Sequence, residues 1–125
     1  LDLPSEDDMP TTKQRFEGAL LGLAISDALG VAVAFKSPGQ FAPVSDMEGG
    51  GAFSLAPGQW TQHTSMALCM AESFIETRSF DPTDQLERYL RWWRTGHFSS
   101  TDECFDVDTT MKAALRRYER SQDAY

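Results

Sequence analysis

The side chains best suited to proton transfer or ligand binding fall in a few places along this 125-residue chain. Asp27 lies in Ser26-Asp27-Ala28-Leu29-Gly30, at the end of a run of apolar and small residues. A carboxylate there serves either as a ligand or base, or as a structural acceptor for backbone donors of a nearby loop. Thr61-Gln62-His63-Thr64 gathers two hydroxyls, an amide and an imidazole into one helical turn. Thr61 and Thr64 read most simply as helix caps, because a threonine hydroxyl satisfies backbone N–H groups left over at a helix start. His63 has only His97 as a second imidazole, and the pair shows no metal-ligand spacing. A single histidine at a helix start is ordinarily a capping or surface residue. Asp102, Glu103, Asp106 and Asp108 concentrate negative charge in one short stretch. Gly49-Gly50-Gly51 would let backbone amides cradle a phosphate, although a bare glycine triplet is by default a flexible loop.

These residues must be positioned by helices, since no alternating strand pattern competes with the helical periodicities. Residues 1–11 are acidic and polar with two prolines and read as a flexible tail; residues 12–125 read as a single helical domain. Thr11 or Thr12 caps a first helix with Phe16, Ala19, Leu20, Leu23 and Ala24 at helical spacing, and Gly30 is its expected stop. Gly18 and Gly22 would let another backbone come close. Pro38, Gly39, Pro43, Pro57 and Gly58 break the periodicity between residues 31 and 59, which predicts a long loop. A second helix starts near Thr61 or Thr64 and ends near Thr77, with Met66, Ala67, Met70, Ala71 and Phe74 as its inward stripe. Asp81 and Pro82 open a third helix that Gly96 closes, with Leu86, Tyr89, Leu90 and Trp93 inward and Glu87, Arg88, Arg91 and Arg94 outward. Trp92 lies beside that stripe; core or edge packing is the first reading there, and a partly exposed indole would instead anchor a partner. A fourth helix spans about Thr109 to Ser121 with Met111, Ala114, Leu115 and Tyr118 inward. The expected fold is all-α: a compact bundle of about four main helices with a long loop.

Composition narrows the roles open to such a bundle. Hydrophobic content is 41 % and charged residues make up 24 %, both ordinary for a globular protein. The net charge of −8 and the pI near 4.6 argue against direct binding to nucleic acid, which needs clustered Lys and Arg. They suit a soluble protein or one that meets a basic surface. Read by eye, no apolar run approaches the ~20 residues of a membrane span and no export signal opens the chain. Cys69 and Cys104 lack CxxC spacing and read as reduced thiols, which points to the cytoplasm.

Three long segments, met in order, resemble the N-terminal part of the ADP-ribosylglycohydrolase family. They are Arg15 to Gly30, Pro57 to Leu68, and Phe80 through Tyr89-Leu-Arg-Trp-Trp-Arg94 to Asp106. The resemblance implies part of a helical fold that removes ADP-ribose from proteins with a pair of divalent metal ions. It also exposes departures. The family's Gly-Asp-Ala-Leu-Gly is followed by a metal-facing Glu; here Ser26 replaces the first Gly, Asp27 remains, and Ala34 stands at the Glu position. The family's Thr-Asp-Asp-Thr, whose Thr and paired Asp ligate the metals, is here Thr61-Gln62-His63-Thr64. A further acidic ligand motif of the family lies beyond residue 125. Asp102 and Glu103 stand where the family usually has Gly and Arg, and Asp108 stands near a usual Gly.

With Ala34, Gln62 and His63 at degenerate catalytic positions, the resemblance implies a vestigial site of Asp27, Thr61 and Thr64 that holds no metal or other cofactor. The expectation is therefore a pseudoenzyme working by protein–protein contact, such as a phage or mobile-element inhibitor of the anti-CRISPR kind. Asp102, Glu103, Asp106, Asp108 and Trp92 are its candidate contacts with a basic partner. A homodimer is also expected, because half of a larger helical fold leaves apolar surface uncovered. No contact with nucleic acid or membrane is expected. The alternatives are a module that binds ADP-ribose or a nucleotide without cleaving it, and a hydrolase active only with a partner chain or an altered metal site.

Overall fold

The computed structural model describes residues 9–125. Most of the expected acidic tail, residues 1–8, lies outside the described residues. Four helices carry the fold: α1 (Thr12–Gly30), α2 (Gln62–Thr77), α3 (Pro82–Thr95) and α4 (Thr109–Ser121). No strand occurs among the described residues, so the chain is all-α. In the bundle α2 packs against both α1 and α3, and α4 packs against α3.

The helix starts follow local chemistry. The Thr11 hydroxyl accepts from the Gln14 amide at 3.3 Å while Gln14 Oε1 accepts from the Thr11 amide at 2.8 Å, a reciprocal capping box. Asp81 accepts from the Asp84 amide at 3.1 Å and Asp108 from the Met111 amide at 2.8 Å. α1 ends at Gly30 as expected, but without a left-handed cap: Gly30 keeps a right-handed conformation, and the chain continues through a 3-10 turn at Val31–Val33. The reversal comes at Phe35, whose φ of 65° is unusual for a bulky side chain.

The long connection from 31 to 61 is tighter than its composition implies. Gly50 and Leu55 exchange both backbone hydrogen bonds, at 2.7 and 3.0 Å, around a 3-10 turn at Gly51–Phe53. Gly51 has φ +66°, and a Cβ there would sit 2.0 Å from the Val31 carbonyl oxygen. The triplet thus packs the loop onto the end of α1, which leaves it neither a flexible linker nor a phosphate cradle.

The inward faces are rotated from those expected. On α2 the buried line is Thr64, Ser65, Cys69 and Ser73, while Met70 and Phe74 are exposed. On α3 it is Gln85, Arg88 and Trp92. Trp92 is 1 % exposed and belongs to the core, so it offers nothing to a partner. Trp93 is half-buried instead, with the Arg94 guanidinium 4.0 Å from its ring centre. Arg88 is buried rather than outward. Its Nε donates to Asp84 at 2.6 Å, its Nη1 lies 2.5 Å from Glu72 Oε2, and Glu72 Oε2 also meets His97 Nε2 at 2.9 Å. The small side chains of α2 let α3 approach closely, and the buried guanidinium fills the gap with its charge compensated.

α1 departs most from expectation. Only Ala28 is fully buried, and Phe16, Leu20, Leu21, Leu23 and Ile25 are exposed. A Cβ added at Gly18 or Gly22 would meet nothing within 4 Å, so neither glycine admits a close backbone. Thr12–Val33 is also long and apolar enough to cross a membrane, with mean hydropathy 1.6, although the sequence shows no apolar run of that length. The charges of Lys13, Arg15 and Glu17 sit in its first turns and obscure the apolar length that follows.

Candidate active site

Asp27 reaches from the last turns of α1 to the start of α2 and organises the site. Its Oδ2 accepts from the backbone amides of Thr61 and Thr64, at 3.0 and 3.1 Å. Its Oδ1 accepts from the Thr61 hydroxyl at 2.5 Å and its Oδ2 from the Thr64 hydroxyl at 2.7 Å. Neither threonine caps α2 with its own side chain; the carboxylate does so from the neighbouring helix, and both hydroxyls turn toward it. The side chain of Asp27 is 6 % exposed. Burial pushes its pKa up, but the four hydrogen bonds outweigh that and hold it below the ordinary value. Of the alternatives for Asp27, the structural acceptor describes what it does.

His63 joins this circuit. Its Nδ1 lies 3.2 Å from the Thr61 hydroxyl oxygen. That hydroxyl has one proton, which it gives to the ionised Asp27, so it can only accept from the imidazole. In the neutral ring this puts the proton on Nδ1 and leaves Nε2 as an acceptor. The ring is 67 % exposed.

These residues line one wall of a cavity of about 340 Å³, together with Ser26, Ala34, Phe35, Phe53 and Asp106. Asp106 comes from the segment between α3 and α4. That segment is tied to the start of α2 by the Trp60 indole N–H donating to Phe98 O at 3.2 Å, the Ser100 hydroxyl donating to Trp60 O at 2.7 Å, and Gln59 Nε2 donating to Ser100 O at 2.9 Å. The Asp106 carboxylate accepts no hydrogen bond among the described residues. Burial raises its pKa; His63 opposes this, while Asp27 and Asp108 add to it. The expected acidic cluster is thus divided. Asp106 faces the cavity, Asp108 caps α4, and Asp102 and Glu103 stay exposed on the loop.

The donors do not fit a pair of magnesium-like ions, each of which wants six oxygens in near-octahedral geometry. Both oxygens of Asp27 are taken, and Ala34 has no donor. Gln62 Oε1 is buried without a partner, but it is one neutral oxygen. No group of three or more His, Cys, Asp and Glu able to hold a metal ion occurs among the described residues.

Similarity to known proteins places the site in a class. The ADP-ribosylglycohydrolase family profile matches residues 8–125, and the chain belongs to that family. It is 49 % identical over 102 residues to the ADP-ribosylarginine hydrolase Tri1 of Serratia proteamaculans, covering 82 % of this chain and 28 % of that protein. It is 43 % identical over 106 residues to the protein of the same name from Pseudomonas putida, covering 85 % of this chain and 28 % of that one. The ADP-ribosyl-[dinitrogen reductase] glycohydrolase of Rhodospirillum rubrum is 34 % identical over 113 residues, with 87 % of this chain and 36 % of that protein covered. A solved structure titled ADP-ribosylglycohydrolase-related protein complex superposes with a TM-score of 0.72 at 45 % identity, covering 86 % of this chain and 34 % of that one. The chain therefore spans about a third or less of the length of these relatives.

These likenesses correct the expectation of a pseudoenzyme. Relatives this similar are named hydrolases and glycohydrolases, which points to an enzyme. Ala34, Gln62 and His63 lack the family's carboxylates, but the circuit around Asp27 is intact.

Proposed function

We propose that this chain forms the N-terminal part of an enzyme that hydrolyses the N-glycosidic bond between ADP-ribose and a modified arginine, with the remaining part of the family fold completing the site. The observation that carries this reading is the cavity that joins the Asp27–Thr61–Thr64 circuit to His63 and the uncommitted Asp106 carboxylate. The names of the most similar relatives support the substrate class.

In that reaction a water oxygen bonds to the anomeric carbon of the ribose. The carbon–nitrogen bond breaks with its electron pair on the leaving guanidine, and the water proton ends on that guanidine. Asp106 is suited to take the proton from water, being an acceptor free of internal hydrogen bonds and partly withdrawn from solvent. Asp27 acts as a positioning residue: it fixes the first turn of α2, and through Thr61 it sets the ring of His63 with Nε2 as acceptor.

A role in protein contact through negative charge would rest on Asp102 and Glu103, the two acidic loop residues that remain exposed and uncommitted to the cavity or a cap. An inhibitor of the anti-CRISPR kind has no further support. The test of the hydrolase reading is release of ADP-ribose from arginine-modified protein, by this chain together with a polypeptide carrying the rest of the family fold. Release that falls at least ~100-fold in D106N supports the assignment. No release, or release indifferent to D106N, contradicts it.

A further inference from the structure

The mismatch between the donor set and a pair of divalent ions raises the question of what the cavity accommodates instead. Its lining has three properties. Asp106 is a partly buried carboxylate with no hydrogen-bond partner among the described residues; His63 is the one basic side chain beside it, and no Lys or Arg lines the cavity among the described residues. Asp27, also on the wall, adds negative charge while its oxygens are occupied by Thr61 and Thr64. Phe35 stands at the same cavity 81 % exposed, in a left-handed conformation that costs a bulky residue energy to adopt. Its ring lies edge-on to Phe53, with centres 6.0 Å apart, and Phe53 packs on Phe105 at 5.4 Å. An aromatic ring is thus held against the cavity by two others behind it.

A small divalent ion is poorly served by this lining, because it needs several oxygens converging on a point. A guanidinium group matches it. The group is a planar monocation that is weakly hydrated, donates a fork of N–H bonds to one carboxylate and stacks on aromatic faces.

We propose that the cavity binds the guanidinium of the modified arginine directly, between Asp106 and the Phe35–Phe53 pair, with no divalent ion of this chain's own in that space. The identity of the ligand rests on the hydrolase reading; the chemistry of the cavity does not. Phe35 is then a specificity-determining residue, and the replacement of carboxylates at positions 34, 62 and 63 marks an exchange of a metal-type site for an organic cation.

The test uses methylguanidine and Mn²⁺ as separate probes of the full chain, followed through its amide NMR signals. Methylguanidine should shift the signals of Phe35, Phe53 and Asp106 in a saturable way. D106N should weaken that binding about tenfold and F35A about threefold, whereas D102N should leave it unchanged. Mn²⁺ at the same concentration should broaden no signals selectively around residues 27, 61–64 and 106. Selective Mn²⁺ broadening there, or methylguanidine shifts that are absent or insensitive to D106N, would overturn the proposal. Saturable methylguanidine binding in a protein that releases no ADP-ribose would instead defeat the hydrolase reading while leaving the cavity assignment intact.

Discussion

Asp27 holds α2 to α1 through four hydrogen bonds, and its removal exposes the site to two separate losses. Asp27→Ala leaves two backbone amides and two hydroxyls at the start of α2 without acceptors, which should cost about 2–4 kcal/mol in chemical denaturation. A change below ~0.5 kcal/mol would show that water replaces the carboxylate there. Because the pKa of Asp27 is held below its ordinary 3.8, its contribution is fully present above that value and is lost as pH falls through the lower, folded-state value. Asp106 has the opposite sign: its folded-state pKa is raised, so its charge opposes folding at neutral pH and ceases to do so as it protonates in acid. Asp106→Asn should therefore raise the melting temperature at pH 7, and raise it less near pH 4; a lower melting temperature at pH 7 would contradict this. Asp27, Thr61 and Thr64 were legible in the sequence as a group because their motif survives. The direction of the capping was not: nothing local in Thr61–Thr64 shows that its acceptor comes from 34 and 37 residues earlier.

At the level of elements, the α2–α3 contact depends on a charge inside the bundle. Arg88 lies between Asp84 and Glu72, and the hydrogen bonds from it and from His97 keep Glu72 ionised below its usual range although burial pushes the other way. Truncating Arg88 to Ala strands two carboxylates against a buried surface and should cost about 3–5 kcal/mol, read in the same denaturation experiment. A loss under ~1 kcal/mol would mean that the pair is screened by solvent. The boundaries of α3 and α4 fall where expected, and for α3 the signal is local, Asp81 with Pro82; Asp108 as the cap of α4 was not read from the sequence. The faces do not fall where expected. Hydrophobicity predicted Met70, Phe74 and Trp93 inward. Close packing against α3 instead selected Ser65, Cys69 and Ser73, and turned Arg88 and Trp92 into the core. A polar residue with the right partners was invisible to an apolar count.

For the molecule as a whole, the exposed apolar face of α1 dominates. Phe16 is 74 % exposed, and the exposed Leu20 and Leu23 lie on the same side of the helix, on a chain that spans about a third or less of its relatives. We propose that the isolated chain buries this face by pairing with a second copy. Sedimentation velocity should show concentration-dependent dimers that Phe16→Asp with Leu23→Asp abolishes; a monomer at every concentration would contradict the pairing. The all-α class and the family were legible because long segments match in order, whereas the exposure of α1 was not, because its apolar residues fall on both sides of the helix. The central claim, that the cavity between α1, the start of α2 and Asp106 is a ligand site of the family's kind, is tested most directly by titrating the chain with ADP-ribose and mapping the amide shifts. Saturable shifts at Asp27, Thr61, His63 and Asp106 are predicted. Their absence at millimolar ADP-ribose, or shifts confined to another face, would contradict the account.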